Sequence, residues 1–174
     1  MHLTYRWLVL LPLLIFSCAS MSKTTQVVNE TNRRNAGSGL WEFENSSADS
    51  LWWNALQQAA LPWLGTPYLW GGEGPDSVDC SAFVRAVFYK VNGDSLPRRA
   101  AWQYLQGFPV PMDCLRPGDL VFFGRPAIGV EHVGIYWGGG WFINATVSRG
   151  VAFSRLDESF WKERILGARR RYRL

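Results

Sequence analysis

The sequence predicts an α+β fold, and the prediction rests on the order of two kinds of segment. Runs with helical periodicity come first, between about Leu51 and Gly107. Short runs rich in β-branched and aromatic residues, separated by glycine and proline, follow from Leu115 onwards. With 174 residues, of which 48% are hydrophobic, the chain is long enough for one compact core. Helices followed by a central antiparallel sheet of about five strands are typical of the α+β class.

The helices are expected where apolar residues recur every three or four positions. In "LWWNALQQAALPWLG" the pattern starts at Leu51, and Asp49 or Ser50 is the candidate N-cap. A second helix is expected over residues 81–91, ended by Gly93. The glycines and prolines of "GTPYLWGGEGPDSV" make the intervening segment a loop.

A third, short helix is expected in "RRAAWQYLQG", after which the pattern changes to that of strands. Each strand candidate is a short apolar run that ends at a turn residue. The strand candidates are "LRPGDLVFFG", "EHVGIYW", "GWFINAT", "GVAFSRL" and "RILGARRRYRL".

Residues 1–17 are interpreted as a lipoprotein signal peptide. The apolar run from Trp7 to Phe16 is too short for a membrane-spanning helix. Its ending, "IFSC", resembles bacterial signals in which the cysteine, here Cys18, is lipidated and becomes the new N-terminus. Ordinary secretion is the alternative. The resemblance also implies that Ala19, being other than Asp, permits sorting to the outer membrane, with the protein facing the periplasm.

Residues 18–50 are expected to form the lipidated cysteine and a flexible tether, because they are rich in Ser, Thr, Asn and Gly and lack a sustained periodicity. Residues 51–174 are expected to form the folded domain. Of the net charge of +4, much comes from the C-terminal end, where Arg169, Arg171 and Arg173 share one face of a strand. Solvation is the default role of these arginines, and attraction to an anionic polymer or lipid is the alternative.

Cys80, in "VDCSAFVRAVFYKVNG", is the candidate nucleophile. It lies at the first turn of the second predicted helix, where unpaired backbone N–H groups and the helix dipole favour a negative charge. The position therefore suits a thiolate. A buried cysteine that only fills space is the alternative.

His132 is the candidate base, since it is the single histidine after the signal peptide. Strand alternation puts His132, Gly134 and Tyr136 on one face, and an imidazole that takes the thiol proton makes a cysteine an efficient nucleophile. Pairing of the strands around the turn "GGG" brings Asn144 beside His132, where its amide can fix the ring tautomer. A structural role at a strand end is the alternative for Asn144.

Two other uses of the thiols are not expected. A disulfide between Cys80 and Cys114 would block catalysis. A zinc site is disfavoured because these two cysteines and His132 fall short of the usual set of four ligands. No metal, cofactor or nucleic-acid partner is expected, and the protein is expected to be a monomer.

About 120 residues resemble the NlpC-type family of bacterial cell-wall cysteine peptidases, which are papain-like in fold. The six matching motifs occur in the family's order and spacing, and this agreement is more specific than any one of them. They are "GTPYLWGG", "DCSAFV", "LPRRAAWQY", "LRPGDLVFF", "HVGIYWG" and "FINATVSRGV". The resemblance implies that Cys80 is the nucleophile, His132 the base, and Asn144 the third, polar group, a position often occupied by histidine in relatives.

The resemblance also implies which residues contact substrate. Tyr68 would contribute to the oxyanion and substrate site, and Asp79 and Ser81 would bind polar groups, in some relatives a free amino end. Two positions depart from the family pattern: Ala82 stands where glycine is usual, and Glu131 where serine is frequent.

The implied activity is hydrolysis of an amide bond in the stem peptides or cross-links of peptidoglycan, with peptidoglycan and a lipid-anchored membrane contact as partners. Two alternatives stay open. A non-catalytic wall-binding lipoprotein would keep the fold without needing the three catalytic side chains. An acyltransferase or an amidase acting on another amide or ester would keep them and change the cleft.

Overall fold

The structure, a computed structural model, describes residues 47–171, with side chains described from Asp49 onwards. The predicted signal peptide, Cys18, nearly all of the predicted tether and Arg173 lie outside the described residues. None of the helices in this described part has both the length and the hydropathy needed to cross a lipid bilayer.

The described chain contains four α-helices and two short 3-10 turns, the latter at Leu61–Trp63 and Met112–Cys114. Three helices precede all the strands of the described residues, as the sequence predicts, and the fourth lies between the last two strands. The helices are α1 (Ser47–Ala60), α2 (Cys80–Asn92), α3 (Ala100–Tyr104) and α4 (Ser159–Lys162).

All strands belong to one antiparallel sheet with the order β1-β6-β2-β3-β4-β5. The α+β prediction is confirmed, with six strands instead of about five. The additional strand is β1, a three-residue edge strand that contains Pro109 and therefore has no strand-like alternation. The strands are β1 (Phe108–Val110), β2 (Leu120–Arg125), β3 (Gly129–Gly138), β4 (Trp141–Thr146), β5 (Gly150–Arg155) and β6 (Ile165–Arg170).

The N-terminus of α1 differs from the sequence prediction. The helix begins at Ser47, so Asp49 and Ser50 lie inside it and neither is the N-cap. A carboxylate is favoured anywhere in the first turn by the helix dipole. Asp49 is therefore compatible with either position, and the sequence pattern could not distinguish them.

Helix α2 begins at Cys80 because Asp79 caps it. Asp79 has an extended backbone, and its side chain accepts a hydrogen bond from the N–H of Ala82 at 2.8 Å. The helix ends at Gly93, which takes the left-handed conformation at φ 73°. The predicted end at Gly93 is confirmed, and the predicted start at Ser81 is one residue late.

Helices and sheet enclose two apolar clusters, one on each face of the sheet. The larger cluster lies under α1 and α2 and includes Phe83, Phe122 and Ile135. The smaller cluster lies on the other face, where Trp161 of α4 packs against Phe123. Neighbouring residues of β2 thus point into different clusters, as the two-residue period of a strand requires.

A buried ion pair connects the C-terminal strand to the turn before β2. Asp119, which is fully buried, accepts two hydrogen bonds from Arg170 at 2.7 Å each, and its other contact is the N–H of Arg116 at 2.8 Å. Arg169 and Arg171 also have intramolecular partners, the carbonyl of Tyr104 and the carboxylate of Asp94. The described part of the C-terminal arginine cluster therefore serves the fold.

We expect Arg170→Ala to lower the free energy of unfolding by about 3–5 kcal/mol, because it leaves the carboxylate of Asp119 buried without its counter-ion. Chemical denaturation measures this change. Arg155→Ala is the matched control, since the Arg155–Asp157 pair is exposed and should contribute a change close to the measurement error. Equal effects of the two substitutions would contradict a structural role for the buried pair.

Candidate active site

Cys80 is a free thiol, 6% exposed, at the first position of α2. The backbone N–H groups of Val133, Ser81 and Cys80 itself lie near its sulfur and lower the pKa of the thiol. Val133 follows His132 in β3, so the thiol lies against the strand that carries the candidate base. The structure thus brings the start of α2 and the middle of β3 together.

The thiol and the imidazole are both neutral at rest. Burial raises the pKa of Cys80 to about 11, although the hydrogen bond from the Val133 N–H works in the opposite direction. Burial lowers the pKa of His132 to about 4, against the effect of its hydrogen bond with Asn144. At rest, burial therefore outweighs the effect of the helix N-terminus, which favours a thiolate. An imidazole that is unprotonated at neutral pH is ready to accept a proton.

His132 is held on the face of the sheet that α4 covers. Its ring centroid lies 5.0 Å from that of Trp161 and 6.0 Å from that of Phe123. Tyr136 packs against the same cluster, and a side chain at Gly134 would meet Phe142 of that cluster. The predicted common face of His132, Gly134 and Tyr136 is confirmed.

Asn144 lies beside His132, with 3.0 Å between its Oδ1 and Nε2 of the imidazole. The side chain is fully buried, and its Nδ2 donates to the carbonyl of Ala152 at 3.3 Å and to the hydroxyl of Ser154 at 3.0 Å. A backbone carbonyl can only accept, so the amide nitrogen must face β5 and the amide oxygen must face His132. Nε2 therefore carries the proton, and Nδ1 is the free base.

A cleft of about 670 Å³ opens beside His132. Aromatic side chains of the smaller apolar cluster, which includes Trp161 of α4, form one wall of the cleft, and the residues after β4 form another. The cleft is lined by Tyr68, Phe123, Gly124, Arg125, Glu131, His132, Ala145, Thr146, Val147, Ser148, Arg149, Glu158, Phe160, Trp161 and Arg164. Glu131 is paired there with Arg125 at 2.7 Å, whereas Ala82 is a buried residue within α2 and does not line the cleft.

Tyr68 is held at the cleft by the loop that precedes α2. It forms a parallel bridge with Val78, two residues before the nucleophile candidate. Burial raises the pKa of Tyr68, and the negative charges that Cys80 and Asp79 carry when ionised act in the same direction. The loop is fastened to β5 by two backbone hydrogen bonds of 2.9 Å, from Gly65 N–H to Val151 and from Val151 N–H to Thr66.

Asp79 and Ser81 lie inside the protein and not on the cleft wall. They are 7% and 5% exposed, and Arg98 donates to both side chains, to Asp79 at 2.7 and 3.0 Å and to Ser81 at 3.1 Å. Burial alone would raise the pKa of Asp79, but hydrogen bonds from Arg98, Ala82 and Ser81 outweigh burial and hold it below its usual value. Both side chains therefore fix the start of α2 in this structure.

Sequence reasoning assigned no role to Arg98, although "LPRR" was part of a recognised motif. The available signal was Asp79 itself, because a carboxylate directly before a buried nucleophile needs a counter-ion. Ser154 and Arg149 were also missed, and no local pattern marks them. Across residues 47–171, no three His, Cys, Asp or Glu side chains are grouped so that they could hold a metal ion.

Comparison with known proteins places this arrangement in a family context. The chain is 41% identical over 115 residues to the "Gamma-DL-glutamyl hydrolase" of Bacillus subtilis, covering 65% of this chain and 28% of that protein. It is 36% identical over 148 residues to the "Murein DD-endopeptidase MepS/Murein LD-carboxypeptidase" of Escherichia coli, covering 85% of this chain and 77% of that protein. The share of the relative that is matched thus ranges from about a quarter to three quarters.

Comparison with solved structures points to the same family of proteins. A crystal structure of an NlpC/P60 family protein from Bacillus cereus superposes with a TM-score of 0.64 at 33% identity, over 68% of this chain and 39% of that one. The profile of the NlpC/P60 family matches residues 65–170, which include Tyr68, Cys80, His132 and Asn144. The chain therefore belongs to the NlpC/P60 family, and its α+β domain has that family's papain-like fold.

Proposed function

We propose that this protein is a peptidoglycan endopeptidase that hydrolyses an amide bond in stem peptides or their cross-links. The observation that carries the proposal is the His132–Asn144 hydrogen bond of 3.0 Å, on the strand that also contacts the free thiol of Cys80. A wall-binding protein would not need this combination of side chains. The name of the Escherichia coli relative, a murein endopeptidase, supports the choice of substrate.

The first half of the reaction forms the covalent bond between Cys80 and the substrate, in a tetrahedral intermediate. Nδ1 of His132 removes the thiol proton as the sulfur of Cys80 attacks the amide carbonyl. The negative charge that develops on the carbonyl oxygen is stabilised by the backbone N–H of Cys80 at the start of α2 and by the hydroxyl of Tyr68. The amide oxygen of Asn144 accepts a hydrogen bond from Nε2–H throughout and so stabilises the imidazolium.

The second half releases both products. The imidazolium of His132 gives its proton to the leaving amine, the C–N bond breaks, and the acyl group stays on Cys80. Water, deprotonated by His132, then attacks the thioester, and the thiol leaves with the proton. Asp79 and Ser81 do not contact substrate in this scheme. They hold Cys80 in place through the cap of α2.

The location of the enzyme is part of the proposal. Lipidation of Cys18 would anchor the protein to the outer membrane, facing the periplasm, and the tether would let the domain reach the wall. The signal-peptide pattern of residues 1–17 supports this location. No cofactor is needed for the reaction, because thiol, imidazole and water supply every group that is transferred.

Digestion of purified peptidoglycan, followed by mass spectrometry of the fragments, tests the activity. We expect the wild-type protein to create new amino and carboxyl ends within the stem peptides, and Cys80→Ala and Cys80→Ser to create none. The thermal unfolding midpoint of both variants should stay near that of the wild type, because the replaced side chain is small.

Three results would contradict the proposal in different ways. Full activity of Cys80→Ala would exclude the thiol mechanism. Binding of the wild type to peptidoglycan without cleavage would support a wall-binding protein. Products that carry a transferred acyl group, or cleavage confined to another amide or ester, would support the acyltransferase or amidase alternative.

Asn144→Ala should lower kcat by about one to three orders of magnitude, since it removes the group that orients His132. Asn144→His should retain much of the activity because an imidazole nitrogen can accept the same hydrogen bond. His132→Ala should leave almost none. Steady-state kinetics on an isolated stem peptide measures all three. A wild-type rate for Asn144→Ala combined with a lower unfolding temperature would mean that Asn144 only stabilises the strand.

Cys18→Ala should move the protein from the membrane fraction to the soluble fraction, because the lipid is the only anchor proposed. Cell fractionation with immunoblotting measures the distribution. Cys80→Ala is the matched control, since it also removes a cysteine but keeps Cys18, and it should stay with the membranes. Retention of Cys18→Ala in the membrane fraction would indicate another attachment.

A further inference from the structure

The mechanism above leaves two polar contacts of β5 without a role. Ser154 is a fully buried serine whose hydroxyl oxygen accepts a hydrogen bond from Nδ2 of Asn144 at 3.0 Å. The same oxygen accepts from Nη2 of Arg149 at 2.7 Å. A continuous line of hydrogen bonds therefore runs from Arg149 through Ser154 and Asn144 to His132.

The strand register explains why these groups meet. Asn144 of β4 lies opposite Ala152 of β5, and Ser154 lies two residues farther along on the same face. Such a diagonal neighbour is within reach of a side chain of this length. Arg149, in the turn before β5, reaches along the strand and also donates to the carbonyl of Phe153 at 3.2 Å.

The hydrogen bonds of this line agree with one orientation of the Asn144 amide. A guanidinium can only donate, so its N–H directs a lone pair of the Ser154 oxygen towards Arg149. The NH₂ group of Asn144 takes the second lone pair. Both acceptor positions of the hydroxyl oxygen are then filled by donors. Together with the carbonyl of Ala152, which can only accept, this oxygen holds the amide nitrogen of Asn144 towards β5.

A reversed amide at Asn144 would change which ring nitrogen of His132 carries the proton. It would point the NH₂ group of Asn144 at Nε2 of His132, which could be satisfied only if Nε2 lost its proton and Nδ1 gained it. An imidazole in that tautomer has no free Nδ1 with which to accept the thiol proton. The carbonyl of Ala152, which can only accept, opposes the reversal at 3.3 Å, and the oxygen of Ser154 adds the shorter contact of 3.0 Å.

We propose that Ser154, supported by Arg149, is a positioning residue for amide hydrolysis by the Cys80 thiol. Ser154 helps to fix the amide of Asn144 and thereby keeps the proton of His132 on Nε2. The inference rests on the proposed function, since it assigns these residues to the same reaction. Ser154 gives the cleaner test because it is buried and does not line the cleft, whereas Arg149 does.

The kinetic test is a double-mutant cycle. Ser154→Ala should lower kcat about tenfold, the rate equivalent of one neutral hydrogen bond, and leave KM unchanged. In the Asn144→Ala background the same substitution should change kcat less than twofold, because the group through which Ser154 acts is gone. Ser154→Thr keeps the hydroxyl and should restore most of the rate. Equal losses in both backgrounds, or no loss in either, would overturn the proposal.

Arg149→Ala should lower kcat about threefold, and Arg149→Lys, which keeps a donor, should recover it. Arg155→Ala is the matched control, since Arg155 lies next to Ser154 in β5 but bonds to Asp157. It should leave kcat at the wild-type value. A loss in Arg155→Ala as large as that in Arg149→Ala would show that any arginine at this end of β5 matters, which would contradict the specific role of Arg149.

A second readout does not depend on activity. Apart from His2, His132 is the single histidine of the sequence, so ¹⁵N-histidine labelling reports its tautomer directly. We expect the Nε2–H form in the wild type and a larger share of the Nδ1–H form in Ser154→Ala. This shift without any hydrolysis by the wild type would refute the proposed function and keep the positioning role. An unchanged tautomer would refute the positioning role and leave the function intact.

Discussion

The rest of the site depends on the hydrogen bonds that the carboxylate of Asp79 accepts. The carboxylate receives hydrogen bonds from three separate segments: Gly71 in the loop at 3.1 Å, Ala82 in α2 at 2.8 Å, and Arg98 before α3 at 2.7 Å. Their common attachment to one buried anion places the thiol of the next residue, Cys80, against β3. The sequence resemblance suggested a contact with substrate for Asp79, but its oxygens are already occupied by the protein.

The environment of the thiol combines two opposing effects. The start of α2 and three backbone N–H groups favour a negative sulfur, and burial disfavours it. The balance is a neutral thiol at rest, with a neutral imidazole on the neighbouring strand. Oxidation requires thiolate character and exposure, so a buried, neutral thiol of this kind is protected from oxidation. In the proposed reaction, the backbone donors that do not ionise the resting thiol are available to stabilise the negative charge that forms.

Much of this arrangement could be predicted from the sequence because it is local. Gly93 marks the end of α2, and the turn after β3 brings Asn144 beside His132. The parts that could not be predicted are pairings over long separations. Arg98 is 19 residues from Asp79, and Arg170 is 51 from Asp119, so no periodicity relates the partners. Helix α4, with four residues, is too short to show a helical pattern, although its Trp161 forms the wall behind the base.

The attachment of the Tyr68 loop to β5 has a consequence for association between molecules. β5 is the last strand of the sheet, and an open edge of this kind can add a strand from another chain. The backbone hydrogen bonds between Val151 and residues 65 and 66 cover part of that edge from within the same chain. The segment that carries Tyr68 therefore also limits strand exchange between copies of the protein. Lifting the loop would break these hydrogen bonds and uncover the edge of β5, so the edge stays covered only while the loop stays in place.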